Sequence, residues 1–137
     1  MEGQMEIVRQ TDSEKLTLNI GYVDLGRIDL LVREGFYSNR SDFIRTAIRN
    51  QLSAQAADVD RVVTRHTFDL GLREFSRAEL EEVLRRNEQL SIKVVGLARI
   101  AADVTPELAV LAIGTITVLG ALQASDGVKA VLAGKLK

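Results

Sequence analysis

Six consecutive residues, Lys15-Leu16-Thr17-Leu18-Asn19-Ile20, alternate polar and apolar side chains, the period-two signature of a strand with one buried face. Leu16, Leu18 and Ile20 share that face, and Lys15, Thr17 and Asn19 point the other way. Over residues 23–34 the spacing changes: Leu25, Ile28, Leu31 and Val32 recur near helical intervals, and Gly35 suits the left-handed residue that ends a helix. A short polar turn over residues 36–41 then opens onto residues 42–52. There Phe43, Ala47, Ile48 and Leu52 form one apolar stripe with the arginines outside it, and Ser41 is expected to cap the helix. A lone strand of this length cannot bury a face and satisfy both edges by itself. Roughly forty residues are also too few for a self-sufficient core. The economical solution pairs the strands of two chains antiparallel over four shared helices, so dimerisation is part of the fold argument.

Gly35-Phe36-Tyr37-Ser38-Asn39-Arg40-Ser41-Asp42-Phe43-Ile44-Arg45-Thr46-Ala47-Ile48-Arg49 carries a more specific pattern: glycine, aromatic, small polar residues, Arg-Ser, acid, and then apolar residues alternating with arginines. Together with the preceding strand and helix, residues 15–52 resemble the ribbon-helix-helix repressors of the Arc, MetJ and CopG type. The resemblance implies a homodimer whose two-stranded ribbon lies in the major groove of double-stranded DNA, with its outward side chains reading base edges. Those positions are Lys15, Thr17 and Asn19. Their chemistry suits the task, since Lys donates to guanine O6 and N7, Asn pairs bidentately with adenine, and Thr offers a hydroxyl and a methyl. The resemblance also implies phosphate anchoring at the start of the second helix, by Ser38, Asn39, Arg40 and Ser41. A helix N-terminus presents free amides and a partial positive charge, which supports such a site independently. The bland alternatives are a solvent-facing strand, a Ser41 that only caps, and an Arg40 that only pairs with a surface carboxylate such as Asp42.

Charge tempers the expected affinity. Residues 15–50 hold six basic side chains against four acidic ones, within a chain of net charge −1. Binding must therefore lean on base contacts and backbone amides more than on bulk attraction, and a modest salt slope is expected. Residues 1–14 are polar and aperiodic and read as a mobile arm. Charges at Glu2, Glu6, Arg9, Asp12, Glu14 and Lys15 leave no signal-like apolar stretch, so the expected location is the cytoplasm. The chain has no cysteine and one histidine, His66, which removes thiolate chemistry and leaves no clustered ligands for zinc or nickel. No glycine-rich phosphate loop, serine elbow or catalytic dyad is present. Neither an enzyme, a cofactor nor a metal is expected.

Residues 15–57 are read as the DNA-binding module and residues 58–137 as a second, α+β domain for oligomerisation or ligand binding. In this second part the charges balance at eleven of each sign. The second helix is expected to run on past Ala57 toward Val63 as a spacer, followed by a strand over residues 66–72. Ser76-Arg77-Ala78-Glu79 has the pattern of a capping box and predicts a helix through Glu88. Residues 90–101 are apolar and rich in β-branched side chains. Their core, Ile92-Lys93-Val94-Val95-Gly96-Leu97, is echoed twenty-four positions later by Ile116-Thr117-Val118-Leu119-Gly120-Ala121. Pro106 opens a short helix through Ala112, and residues 126–136 read as a last one. Alternating strands and helices give a small three-stranded domain. Residues 108–125 carry no charge, which touches the lower limit for a membrane span. Gly114, Thr115, Thr117, Gly120, Gln123 and Ser125 dilute that apolarity, and a buried strand and helix explain it better.

The expected function is sequence-specific transcriptional regulation, in the form of repression, with a tetramer through the second domain as one arrangement and its effector unnamed. Two rivals keep parts of this reading. An antitoxin would use the second half to bind a toxin, although its Val, Leu, Ile and Ala content suits a folded domain better than a tail that folds on binding. A structural protein would polymerise through the β-rich half. Plasmid partition uses the same DNA chemistry as repression.

Overall fold

The computed structural model describes residues 13–137, and the chain forms two compact units, Met1–Asp60 and Arg61–Lys137. Of the arm expected over residues 1–14, residues 1–12 lie outside the described ones; Ser13 and Glu14 are exposed.

In the first unit residues 14–20 belong to no helix and, among the described residues, pair with no strand. Helix α1 spans Tyr22–Arg33. It ends where the sequence places a glycine: Gly35 takes φ +89°, Gly35 N donates to Val32 O at 3.1 Å and Phe36 N to Leu31 O at 2.9 Å. That pair of bonds is the glycine-terminated helix end that satisfies the last carbonyls. Helix α2 spans Arg40–Ala54. Its cap is Asn39 and not Ser41, because the Asn39 side chain accepts from Asp42 N at 2.8 Å while Asp42 reaches back to accept from Ser38 N at 2.9 Å and from Ser38 Oγ at 3.1 Å. This is a variant of the capping box in which the acid reaches one residue beyond the cap, to Ser38, and it starts the helix two residues ahead of the sequence expectation. Ile28 is the buried side chain of α1, and α2 has none.

The expected continuous second helix is broken at Gln55 (φ −107°, ψ 17°), after which α3 spans Ala56–His66. The strand expected over residues 66–72 starts later. His66 is the last residue of α3, and Thr67 takes the left-handed position (φ +55°) with Phe68 N donating to Val63 O at 3.0 Å. Helix-end geometry outcompeted weak alternation at those residues.

The second unit alternates β1 (Asp69–Phe75), α4 (Arg77–Arg85), β2 (Leu90–Ile100), α5 (Pro106–Ala112), β3 (Ile113–Gln123) and α6 (Asp126–Leu132). A single 3-10 turn, Ala133–Lys135, follows, so the last helix is shorter than expected. Leu136 instead bridges Ile116 on the outer side of β3. All strands are parallel, in the order β1-β2-β3. Each strand delivers the chain to a side-chain cap, Ser76, Thr105 and Ser125, which accept from Glu79 N, Leu108 N and Val128 N. The twenty-four-residue echo becomes register: Ile92 lies beside Ile116 and Gly96 beside Gly120. β1 adds a third, unanticipated copy, with Gly71 beside Gly96.

Strand alternation then sorts the side chains onto two faces. Phe75, Ile92, Val94, Ala98, Ile100 and Ile116 pack with Leu80, Ala109, Val128 and Leu132 from the helices into one buried cluster. On the opposite face Leu70, Leu72 and Leu119 stay between 57% and 62% exposed. Helices α4, α5 and α6 therefore cover one side of the sheet, while at the edge of the other Lys93 Nζ donates to the His66 carbonyl at the end of α3. Among the described residues no helix is long and apolar enough to cross a membrane; the uncharged stretch is α5 and β3.

Candidate nucleic-acid interface

Lys15, Thr17 and Asn19 lie in a segment with no regular secondary structure and all are exposed; Asn19, like Leu18 and Ile20, also borders the neighbouring groove. The apolar set is also exposed in the single chain, Leu16 at 80% and Leu18 at 65%. A groove of about 370 Å³ is lined by Leu18, Asn19 and Ile20 of this segment with Tyr22, Leu25, Ile28, Arg40 and Ile44. Leu30, Phe36, Ile48 and Leu52 add further exposed apolar surface on α1, the turn and α2.

Ser38, Asn39, Arg40 and Ser41 come together at the N-terminus of α2. The first internal helix bond runs from Phe43 N to Asn39 O, so the amides of Arg40 and Ser41 precede the helical ladder and face outward from its positive end. Two of the four side chains have structural duties. Asn39 caps, and Ser38 donates its hydroxyl and its amide to Asp42. Those bonds hold the Asp42 carboxyl below the usual carboxylate range, with the Arg49 and Arg45 charges adding to the effect.

Arg40 does not pair with Asp42. Its guanidinium grips Asp29 of α1, Nε to Oδ1 at 2.8 Å and Nη2 to Oδ2 at 2.9 Å, which lowers the Asp29 pKa and raises that of Arg40. Bidentate pairing uses two of the five guanidinium donors and leaves three for a phosphate. Tyr37 adds an edge-on contact to Phe43, with ring centroids 5.0 Å apart. The sequence reading missed Asp29 and Asp42 as organisers of this corner. Asp42 was legible as the acid of an Asn-x-x-Asp box; Asp29 was not, because a separation of eleven residues across a turn follows no local period.

A model of the Ribbon-Helix-Helix transcriptional regulator family matches residues 11–129. The chain belongs to this family. The match runs through both units, well beyond residues 15–52, where the sequence shows the resemblance. Members bind DNA as dimers and are typically non-enzymatic. Comparison with curated proteins and with solved structures found no match. Among the described residues no group of three or more His, Cys, Asp or Glu side chains is placed to hold a metal ion; His66, at the end of α3, has its ring 6.1 Å from that of Phe68.

Proposed function

We propose that this regulator is a sequence-specific repressor that works in the cytoplasm as a homodimer, its two 15–20 segments pairing into a ribbon that enters the DNA major groove. The observation that carries this reading is the alternating segment, outside any strand, whose leucines stay exposed beside a groove lined by Leu18, Ile20, Ile28 and Ile44 together with Asn19 and Arg40. Leu16, Leu18 and Tyr22 are 65% to 91% exposed while Ile28 is the one buried hydrophobic side chain described in the first unit. A core that small cannot offset the entropy of ordering some forty residues. A second chain whose segment pairs antiparallel with the first covers these side chains and satisfies the strand edges.

Pairing of this kind leaves Lys15, Thr17 and Asn19 of both chains on the outer side of the ribbon, where their donors and acceptors match those of base edges. The α2 N-termini then flank the ribbon, each offering the Arg40 and Ser41 amides and the remaining Arg40 donors to phosphate. Positioning and reading are thus separate tasks carried by separate residues.

Selection of bound sequences from a random duplex pool, followed by salt titration on the winner, tests the reading. A short palindromic or directly repeated motif is expected. Recovery of no motif at low salt rejects sequence-specific reading.

A further inference from the structure

All-parallel sheets are generally covered on both faces, and here α4, α5 and α6 cover one. The other face has an apolar centre in two in-register rows, Leu70-Val95-Leu119 and Leu72-Leu97-Ala121. Polar side chains close it at both ends. Lys93 and Thr117 form one end, and Glu74, Arg99 and Gln123 the other, where Arg99 Nε donates to Gln123 Oε1 at 2.9 Å. An apolar centre with a polar rim is the anatomy of a protein interface. We propose that this face is an interface between two copies of the chain, in which the C-terminal units of one dimer pack sheet against sheet. The proposal rests on the dimeric reading above.

Size identifies the occupant. Strands about 4.8 Å apart, rising about 3.3 Å per residue over some seven residues, give a footprint on the order of 300 Å². A free-standing interface needs roughly 800 Å² per partner. One such face is therefore too small by itself to join independent molecules. It suffices for units already tethered, because a tether raises their effective concentration to about the millimolar range. Two chains joined through their N-terminal units supply that tether in every dimer. The uncharged centre offers nothing to nucleic acid or to a charged effector.

A two-fold contact of this kind brings the central strand β2 against its own counterpart, so Leu97 lies near Leu97 of the second copy. The chain has no cysteine, and Leu97→Cys therefore creates a unique reactive site. The experiment treats full-length Leu97→Cys with a short bismaleimide and measures mass by light scattering, with Ala130→Cys on α6 as the control. Rapid linkage of Leu97→Cys into dimers, at a rate independent of protein concentration, with little linkage of Ala130→Cys, is expected. Adding Leu70→Glu and Leu119→Glu should slow the linkage at least tenfold while the mass stays dimeric. A dimeric mass without Leu97→Cys linkage overturns the interface and leaves the dimeric reading intact, giving the face to another partner. A monomeric mass overturns both. Linkage into species larger than dimers overturns the pairing within one dimer.

Discussion

Arg40 at the start of α2 and Asp29 in α1 form a bidentate ion pair, with both contacts at 2.8–2.9 Å. It fastens the N-terminus of one helix to the preceding helix and fixes a guanidinium beside the outward-facing amides. Both partners are well exposed, at 58% and 48%, so solvent screens the pair and it adds little to stability. Its consequence lies in DNA binding. Arg40→Ala should weaken binding to all duplexes alike and reduce the slope of log K against log salt by about 1. Asp29→Asn removes a negative charge and releases the guanidinium, so it should strengthen non-specific binding and steepen the slope. Salt titrations of both variants on random and selected duplexes check this. A loss confined to the selected duplex for Arg40→Ala would contradict phosphate anchoring.

Asn19 carries the opposite expectation. If its carboxamide reads a base, Asn19→Ala should cost about 1–3 kcal/mol at the selected site and leave random DNA nearly unaffected. Competition binding separates the two losses. Equal losses would reduce Asn19 to a solvent-facing strand residue.

Acid should loosen the corner at the N-terminus of α2, where the proposed phosphate contacts lie. Asp42 is held below its usual pKa by bonds from Ser38, and Asp29 by Arg40. A carboxylate with a depressed folded pKa contributes its stability above the unfolded value and loses it as pH falls through the folded one. The first unit should thus lose stability below about pH 4, near the ordinary carboxylate value. Asp42→Asn should flatten part of that dependence, since an amide at this position does not titrate. Amide exchange at Ser38 and Asp42, followed against pH, reports the opening directly; an unchanged profile in the variant would place the acid sensitivity elsewhere.

Legibility followed the range of the interactions. Gly35, the Ser76 cap and Pro106 ended or began helices as expected because each signal is local: a left-handed residue, a hydroxyl facing an orphan amide, a ring with fixed φ. The helix and strand order of the second unit was readable for the same reason, as was the twenty-four-residue echo. Strand direction and pairing were not, because register between β1 and β2 depends on neighbours twenty-five positions apart, Asp69 beside Val94. Residues 66–68 misled the reading because Thr67, a β-branched residue that favours strands, here takes a left-handed helix end. At the N-terminus of α2 the sequence offered the polar residue types but not their mutual bonds, as the Arg40–Asp29 pair illustrates.

Gly96 and Gly120 test whether the echo is structural necessity. They lie side by side with Gly71, at φ +135°, +120° and +119°, extended conformations with positive φ that side chains rarely tolerate. A Cβ on Gly96 would drive into the Gly71 carbonyl oxygen, and one on Gly120 into that of Gly96. The obstacles are backbone atoms of the neighbouring strand, so no rotamer change relieves them. Gly26 differs in every respect: it is helical, and a Cβ there meets nothing within 4 Å. Gly96→Ala should therefore destabilise the second unit by at least about 1–3 kcal/mol, the cost of strain alone. Gly26→Ala should stabilise the first by up to about 1 kcal/mol through helix propensity. Denaturant melts of the two variants, followed by circular dichroism, give both signs in one experiment. A neutral Gly96→Ala would mean that the strands can part at the glycine row without loss, and the row would then be an accident of composition, not the device that sets the strands' register.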